Sequence, residues 1–196
     1  LGSVLFDYLS IEWNQNYYDT CLRVCDDLMN NFEDKDKGGF FFTSDQHEQL
    51  FYRPKSISDD SIPSGLVYAT DTLLYMGFIS GNQKYIEAAH GALDFIYKSI
   101  DDNLTSSVSA INLLREDNLE KEIIIVRTNK KTWEKITDSE EYYGRCIIFI
   151  ENELQNLPDY IAYKESKGEF TSYHCKGMTC QTPKLSFEDF IDTLKT

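Results

Sequence analysis

Arg53, Lys55, Asp59 and Asp60 crowd one stretch, GGFFFTSDQHEQLFYRPKSISDDSIPSG, which runs from Gly38 to Gly65. Pro54 stiffens the backbone between the two cations and holds them at a set separation. A guanidinium and an ammonium so placed bind ligand oxygen atoms. A neighbouring carboxylate such as Asp59 serves as acid, base or acceptor for a sugar hydroxyl. Pro63-Ser64-Gly65 reads as a helix start with Ser64 near the cap, and a helix amino end suits an anionic or hydroxyl-rich ligand. The same charges also make a structural salt-bridge network that would hold a long connection in place. Both readings stand at this level.

Sugar rings stack on aromatic faces, and the chain has 13 Tyr, 12 Phe and 2 Trp. Much of this supply falls at helix-core spacing, which leaves Phe41, Phe42, Phe51 and Tyr52 as pocket candidates. His90 falls on the apolar side of a helix pattern, as a core histidine or as a general acid or base. His47 falls in a turn and reads as solvated. His174 directly precedes Cys175, with no second ligand at metal-binding spacing. Cys175 and Cys180 bracket Lys-Gly-Met-Thr, whereas zinc ribbons and redox centres normally use two intervening residues. Packing, a redox pair and a metal ligand all remain open for that pair. Cys21 and Cys25, one helical turn apart, read as core. No metal site and no cofactor is expected from these patterns.

The elements that must position these groups are mostly helical. NQNYYDTCLRVCDDLMNNF from Asn14 aligns with NQKYIEAAHGALDFIYKSI from Asn82. Cys21, Leu22, Cys25, Leu28, Met29 and Phe32 correspond to Ala89, His90, Leu93, Ile96, Tyr97 and Ile100, at spacings that share a helix face. Each helix follows another apolar helical stretch, Val4 to Ile11 and Leu66 to Ile79. Repeated hairpins of this kind bury their stripes against neighbouring hairpins. Two are few for such an array, and the chain opens in apolar helical pattern without a Met. An amino end cut from a larger protein is therefore expected.

Between the hairpins, Gly38–Phe42 and Leu50–Arg53 suggest the strands of a β-hairpin inserted over 38–54, with Ser44–Glu48 as its turn. A connection this long is functional or disordered, and Phe40, Phe41 and Phe42 argue for order. Thr105 to Arg115 reads as a shorter helix. Beyond it the pattern changes. EIIIV at Glu122–Val126 and CIIFI at Cys146–Ile150 are buried-strand runs, with a polar helix over Lys130–Ser139 between them. Glu169–His174 suggests a third strand, and Ser186 caps a last helix to Leu194. The expected fold is mainly α, with helical hairpins over 1–118 and a small α/β unit over 119–196.

With 19 basic and 33 acidic side chains the formal charge is -14, which opposes binding to nucleic acid. No apolar run approaches the ~20 residues that span a bilayer, and the start lacks the features of a signal peptide. Five cysteines are too sparse and too odd a set for an extracellular disulfide framework, so a cytoplasmic location is expected.

Gly38-Gly39-Phe40-Phe41-Phe42, Arg53-Pro54-Lys55, Asp59, Pro63-Ser64-Gly65 and the closing CKGMTCQTP from Cys175 to Pro183 together resemble, in order, the carboxy-terminal part of the YyaL-type proteins. That family includes the spermatogenesis-associated thioredoxin-like proteins of animals. The resemblance covers nearly the whole chain. It implies the final portion of an α/α toroid similar to N-acylglucosamine 2-epimerases and six-hairpin glycosidases, with the family's thioredoxin-like domain and earlier hairpins lying outside this chain as its partners. It also implies a sugar-like ligand and, by fold analogy, an epimerase, isomerase or glycosidase-like role. On that implication Asp59 and His90 are the catalytic candidates, and Phe41, Tyr52, Arg53, Lys55, Asp60 and Ser64 the substrate-binding ones. The chain departs from the family pattern at Leu66-Val67, where Asn-Ser is usual, and at Ser58-Asp59-Asp60, where Tyr-Asp-Gly is common. Losing the Asn and Ser hydrogen-bonding groups favours the alternative, a non-catalytic scaffold or a redox-linked adaptor of the thioredoxin-like domain.

Overall fold

The computed structural model describes residues 1–46, 51–100, 104–119, 121–142 and 144–195. Among them no helix is long and apolar enough to cross a membrane. The described chain is mainly α, with eight α-helices and one small mixed sheet. It divides into two compact units. The first takes Leu1–Phe6 and Asp19–Leu119, the second Asp7–Tyr18 and Glu120–Thr196.

The helical hairpins form as their periodicity predicts. Helices α1 (Gly2–Ile11) and α2 (Gln15–Asn31) are followed by α3 (Gly65–Ser80) and α4 (Gln83–Ser99). Ser64 caps α3 by accepting from the Val67 N–H, and Gly81 ends it with φ 72° in the left-handed region. Asn82 caps α4 through the Lys84 N–H. Gly77 lets the two helices approach closely, since a Cβ there would lie 2.6 Å from Ile86 Cγ1. Leu73, Leu74, Met76, Ala89, Ala92 and Ile96 are almost wholly buried. Tyr85 of α4 donates from its hydroxyl to Asp26 Oδ1 of α2 at 2.6 Å, and Phe6 stacks on Tyr75 at 4.4 Å. A 3-10 turn, Leu104–Ser106, leads into α5 (Val108–Asn118), which packs on both α3 and α4.

Among the described residues, the hairpin expected over 38–54 is not a regular pair of strands. Phe40 makes an isolated antiparallel bridge back to Glu33, and the Phe42 N–H donates to Pro54 O at 2.8 Å. Side-chain bonds from Arg53 to Asn31 O and Thr43 O, and from Lys55 to Gly38 O and the Asp34 carboxylate, tie the two limbs of the loop instead. The turn expected at 44–48 and the strand start at Leu50 lie partly outside the described residues.

In the second unit, β1 (Glu122–Thr128) runs parallel to β2 (Cys146–Glu151), joined through α6 (Lys130–Thr137). A short helix α7 (Asp159–Ala162) precedes β3 (Phe170–Lys176), which lies antiparallel to β1 and to β4 (Thr179–Cys180). The strand order is β2-β1-β3-β4. Ile124, Val126, Ile147, Phe149 and Phe170 pack with Trp133 and Ile136 of α6 and with Phe190 and Leu194 of α8 (Phe187–Leu194). Trp133 stacks on Phe149 at 4.9 Å. Ile123, Ile125, Ile148 and Ile150 on the opposite face are buried too, which is why these strands read as continuous apolar runs. Asn129 caps α6 and Ser186 caps α8.

Candidate functional site

The 38–65 connection is held by its own charges. Asp34 Oδ1 accepts from the backbone of Asp36 and Lys37, and Asp34 Oδ2 takes the Lys55 ammonium at 2.6 Å. Lys55 also donates to Gly38 O at 2.8 Å. Arg53 donates to Asn31 O at the end of α2 and to Thr43 O, at 3.0 and 2.5 Å. Phe41 lies between the two cations, its ring centre 4.1 Å from the Arg53 guanidinium and 5.3 Å from the Lys55 ammonium. Lys55 also lies 4.0 Å from the Phe95 ring centre. Burial opposes the charge on Asp34, but the Lys55 hydrogen bond and the Lys37 and Asp36 N–H groups outweigh it and lower its pKa.

Asp59 is equally engaged. Its carboxylate accepts from Ser64 N at the start of α3, and from Ser109 N and the Ser109 hydroxyl at the start of α5. Its own N–H donates to Ser106 O at 2.6 Å. Burial works against its charge, yet the hydrogen bonds from Ser109, Ser64 and Val108 hold its pKa below the usual value. One carboxylate thus ties two helix amino ends together. Ser64 is buried, with its hydroxyl donating to Ser56 O at 2.6 Å. Asp60 is exposed. Phe42, Phe51 and Tyr52 are largely exposed, while Phe41 is half-buried. Leu66 and Val67 are core residues. His47 lies outside the described residues.

His90 is not a core histidine. It is exposed on α4, beside the buried Ala89, and lines a groove of about 570 Å³ between α4 and α5. His90, Asp94 and Tyr97 recur at helical spacing along α4, and Leu114, Arg115, Asp117 and Asn118 of α5 face them across the groove, with Leu93 at its floor. Tyr97 is mostly exposed and Leu93 buried. Asp94 is shared with Lys98, one turn on, at 2.5 Å. The groove therefore offers an aromatic face, two carboxylates, an amide, a guanidinium and an imidazole on an apolar base. Of these, only His90 stands out in the sequence as a candidate for chemistry. The signal for Asp94 and Tyr97 was the 90–94–97 stripe, set beside the buried stripe of the same helix.

Cys175 and Cys180 are joined as a disulfide, a state that serves a structural turn or a redox pair and leaves neither thiolate to ligate a metal. Cys21 and Cys25 are buried, and burial pushes the Cys21 thiol up to about 11 and Cys25 higher still. Among the described residues no group of three or more His, Cys, Asp or Glu side chains is placed to hold a metal. No protein-family model matches the chain, and a search of curated proteins finds no match either.

Proposed function

We propose that the helical unit is part of an α/α toroid of the YyaL type and binds a small polyhydroxylated, sugar-like ligand in the groove between α4 and α5. The observation that carries the binding proposal is the groove's lining. Tyr97 presents a ring for stacking, Asp94, Asp117, Asn118 and Arg115 supply acceptors and donors for hydroxyls, and Leu93 floors it. His90 is the acid or base candidate, and an epimerase or isomerase step would require a second proton-transfer group opposite it. Asp117 of α5 has the right chemistry for that part. The ordered motifs between Gly38 and Gly65 support the family assignment.

The test is a thermal-shift screen against neutral sugars, amino sugars and sugar acids, followed by titration calorimetry on any hit. The expected result is a saturable rise in Tm that Tyr97→Ala and Asp117→Ala each abolish. No stabilisation by any of these classes, or stabilisation indifferent to both substitutions, would remove the proposal.

The scaffold reading is favoured by a different observation. Arg53, Lys55 and Asp59 spend their hydrogen bonds on the chain itself. On that reading the 38–65 connection is architecture, and the groove is the surface left for a ligand.

A further inference from the structure

We propose that the Cys175–Cys180 pair is a thiol–disulfide exchange site that accepts two electrons from a dithiol reductant, with Cys180 as the sulfur attacked. Cys175 of β3 stands opposite Cys180 of β4, and Lys176 opposite Thr179, around a turn whose Gly177 has φ 54°. β4 is the last strand in the order β2-β1-β3-β4, so Cys180 marks the sheet's edge. A thiolate must approach a disulfide along the S–S axis, from the side opposite the leaving sulfur. For Cys180 that path begins outside the sheet. For Cys175 it runs in from Ile123 of β1, which pairs with Cys175 in the antiparallel register and is itself buried. Cys175 is buried and Cys180 only half-buried. Access and direction select the same sulfur.

The step balances without any group beyond the reductant. Its thiolate attacks Cys180 Sγ, the S–S bond breaks, and the Cys175 sulfur leaves as a thiolate that takes a proton. The reductant is then held to Cys180 as a mixed disulfide. Its second thiol, deprotonated, attacks its own bonded sulfur, releases Cys180 as a thiol once protonated, and departs oxidised. Two electrons and two protons have entered the pair.

The chain's other cysteines cannot supply that thiol. Cys21 and Cys25 are buried in α2. Cys146 shares a cross-sheet row with the pair, Cys146–Ile123–Cys175–Cys180, but β1 stands between. Two strand spacings put it about 10 Å from Cys175, beyond disulfide reach. The reductant has to come from outside the described chain.

Opening the pair acts on the segment that follows. Gln181 N–H donates to His174 O at 2.9 Å, and Ser172 and Lys184 exchange backbone bonds at 2.9 and 3.0 Å. These bonds and the short β4 ladder are what would retain the 179–184 segment on β3 after reduction, so its amide protection is expected to fall.

The experiment uses the 196-residue chain in native buffer. Dithiothreitol reduction is stopped by alkylation and read as intact mass, and an acid-quenched reaction with glutathione is mapped for the mixed disulfide. The pair is expected to open without denaturant, with glutathione found on Cys180 and deuterium uptake rising at Gln181 and Lys184. Cys175→Ser, which leaves the edge thiol, is expected to react with an aromatic disulfide reagent about tenfold or more faster than Cys180→Ser. Opening only in denaturant, glutathione on Cys175, or equal rates for the two variants would each overturn the proposal.

Discussion

At Asp59 a single carboxylate meets three donors from two helix starts. That is the environment of a structural anion, since each lone pair directed at Ser64 or Ser109 is unavailable to a substrate proton. Asp59→Asn keeps the shape but turns an amide N–H₂ toward groups that are themselves donors. It is expected to cost about 2 kcal/mol, read as a lowered urea midpoint in far-UV circular dichroism. Arg53→Ala belongs with it. Removing the bonds to Asn31 O and Thr43 O is expected to lower Tm in parallel with any loss of ligand binding. An Arg53→Ala protein that melts like the parent but no longer binds sugar would return these residues to the site.

Among the elements, the 38–65 connection is fixed by backbone proximity as much as by charge. Gly38 and Gly39 have φ of 73° and 79°, and a Cβ on Gly38 would fall 2.2 Å from Gly91 O of α4. No L side chain fits there without moving the helix or the turn. Gly38→Ala is therefore expected to destabilise by about 2–4 kcal/mol, with a lower Tm in calorimetry and an unchanged circular dichroism shape below it. A neutral Gly38→Ala would mean that this close approach does not exist.

The paired glycines and the Arg-Pro-Lys were visible in the sequence, but their partners were not. Asn31 lies on α2 and Gly91 on α4, Asp34 just precedes the loop, and no local pattern joins them to it. The helices were legible because Cys21, Cys25, Ala89, Leu93 and Ile96 repeat at helical spacing. His90 was misplaced for a related reason. It aligns with Leu22, which is itself only half-buried, so the alignment carried it to the edge of the apolar stripe. One step of about 100° beyond Ala89 was enough to turn it outward. The strands of the second unit were legible from their β-branched runs, whereas the expected inserted hairpin is not seen among the described residues because Phe40 and Phe41 pair back onto Glu33 and Phe32 rather than onto 50–53. The groove needed two helices brought together, and only its α4 half left a trace in the sequence.

For the molecule as a whole, the titrating groups divide between the units in a way that acid should separate. His174, on β3, is 3% exposed, with its ring 5.8 Å from Phe190, Nε2 3.4 Å from Ser172 Oγ and Nδ1 3.8 Å from Glu122 Oε1. Burial lowers its pKa. Glu122 works against that shift, while Lys184 and Arg145 add to it. The unfolded chain therefore takes up this proton before the folded one does. The stability tied to a neutral His174 is present above the unfolded value of about 6.5 and is lost as pH falls from there toward the depressed folded value. The loss runs at up to about 1.4 kcal/mol per pH unit. In the helical unit Asp34 and Asp59 are also depressed, and their contribution is lost only below about pH 4, as pH falls through their folded values. Trp133 stacks on Phe149 inside the sheet unit that holds His174, so in a Trp13→Phe background indole emission follows that unit. Moving from about pH 7.5 to about 5.5 is expected to lower the urea midpoint seen by indole emission. The midpoint of the helical unit, followed by hydrogen exchange on α3 and α4 amides, is expected not to fall, since burial raises the Glu33 pKa and the folded state takes up that proton first. His174→Gln removes the titrating ring and is expected to abolish the drop. Equal emission midpoints at the two pH values, or a drop that survives in His174→Gln, would mean that another group controls the acid response.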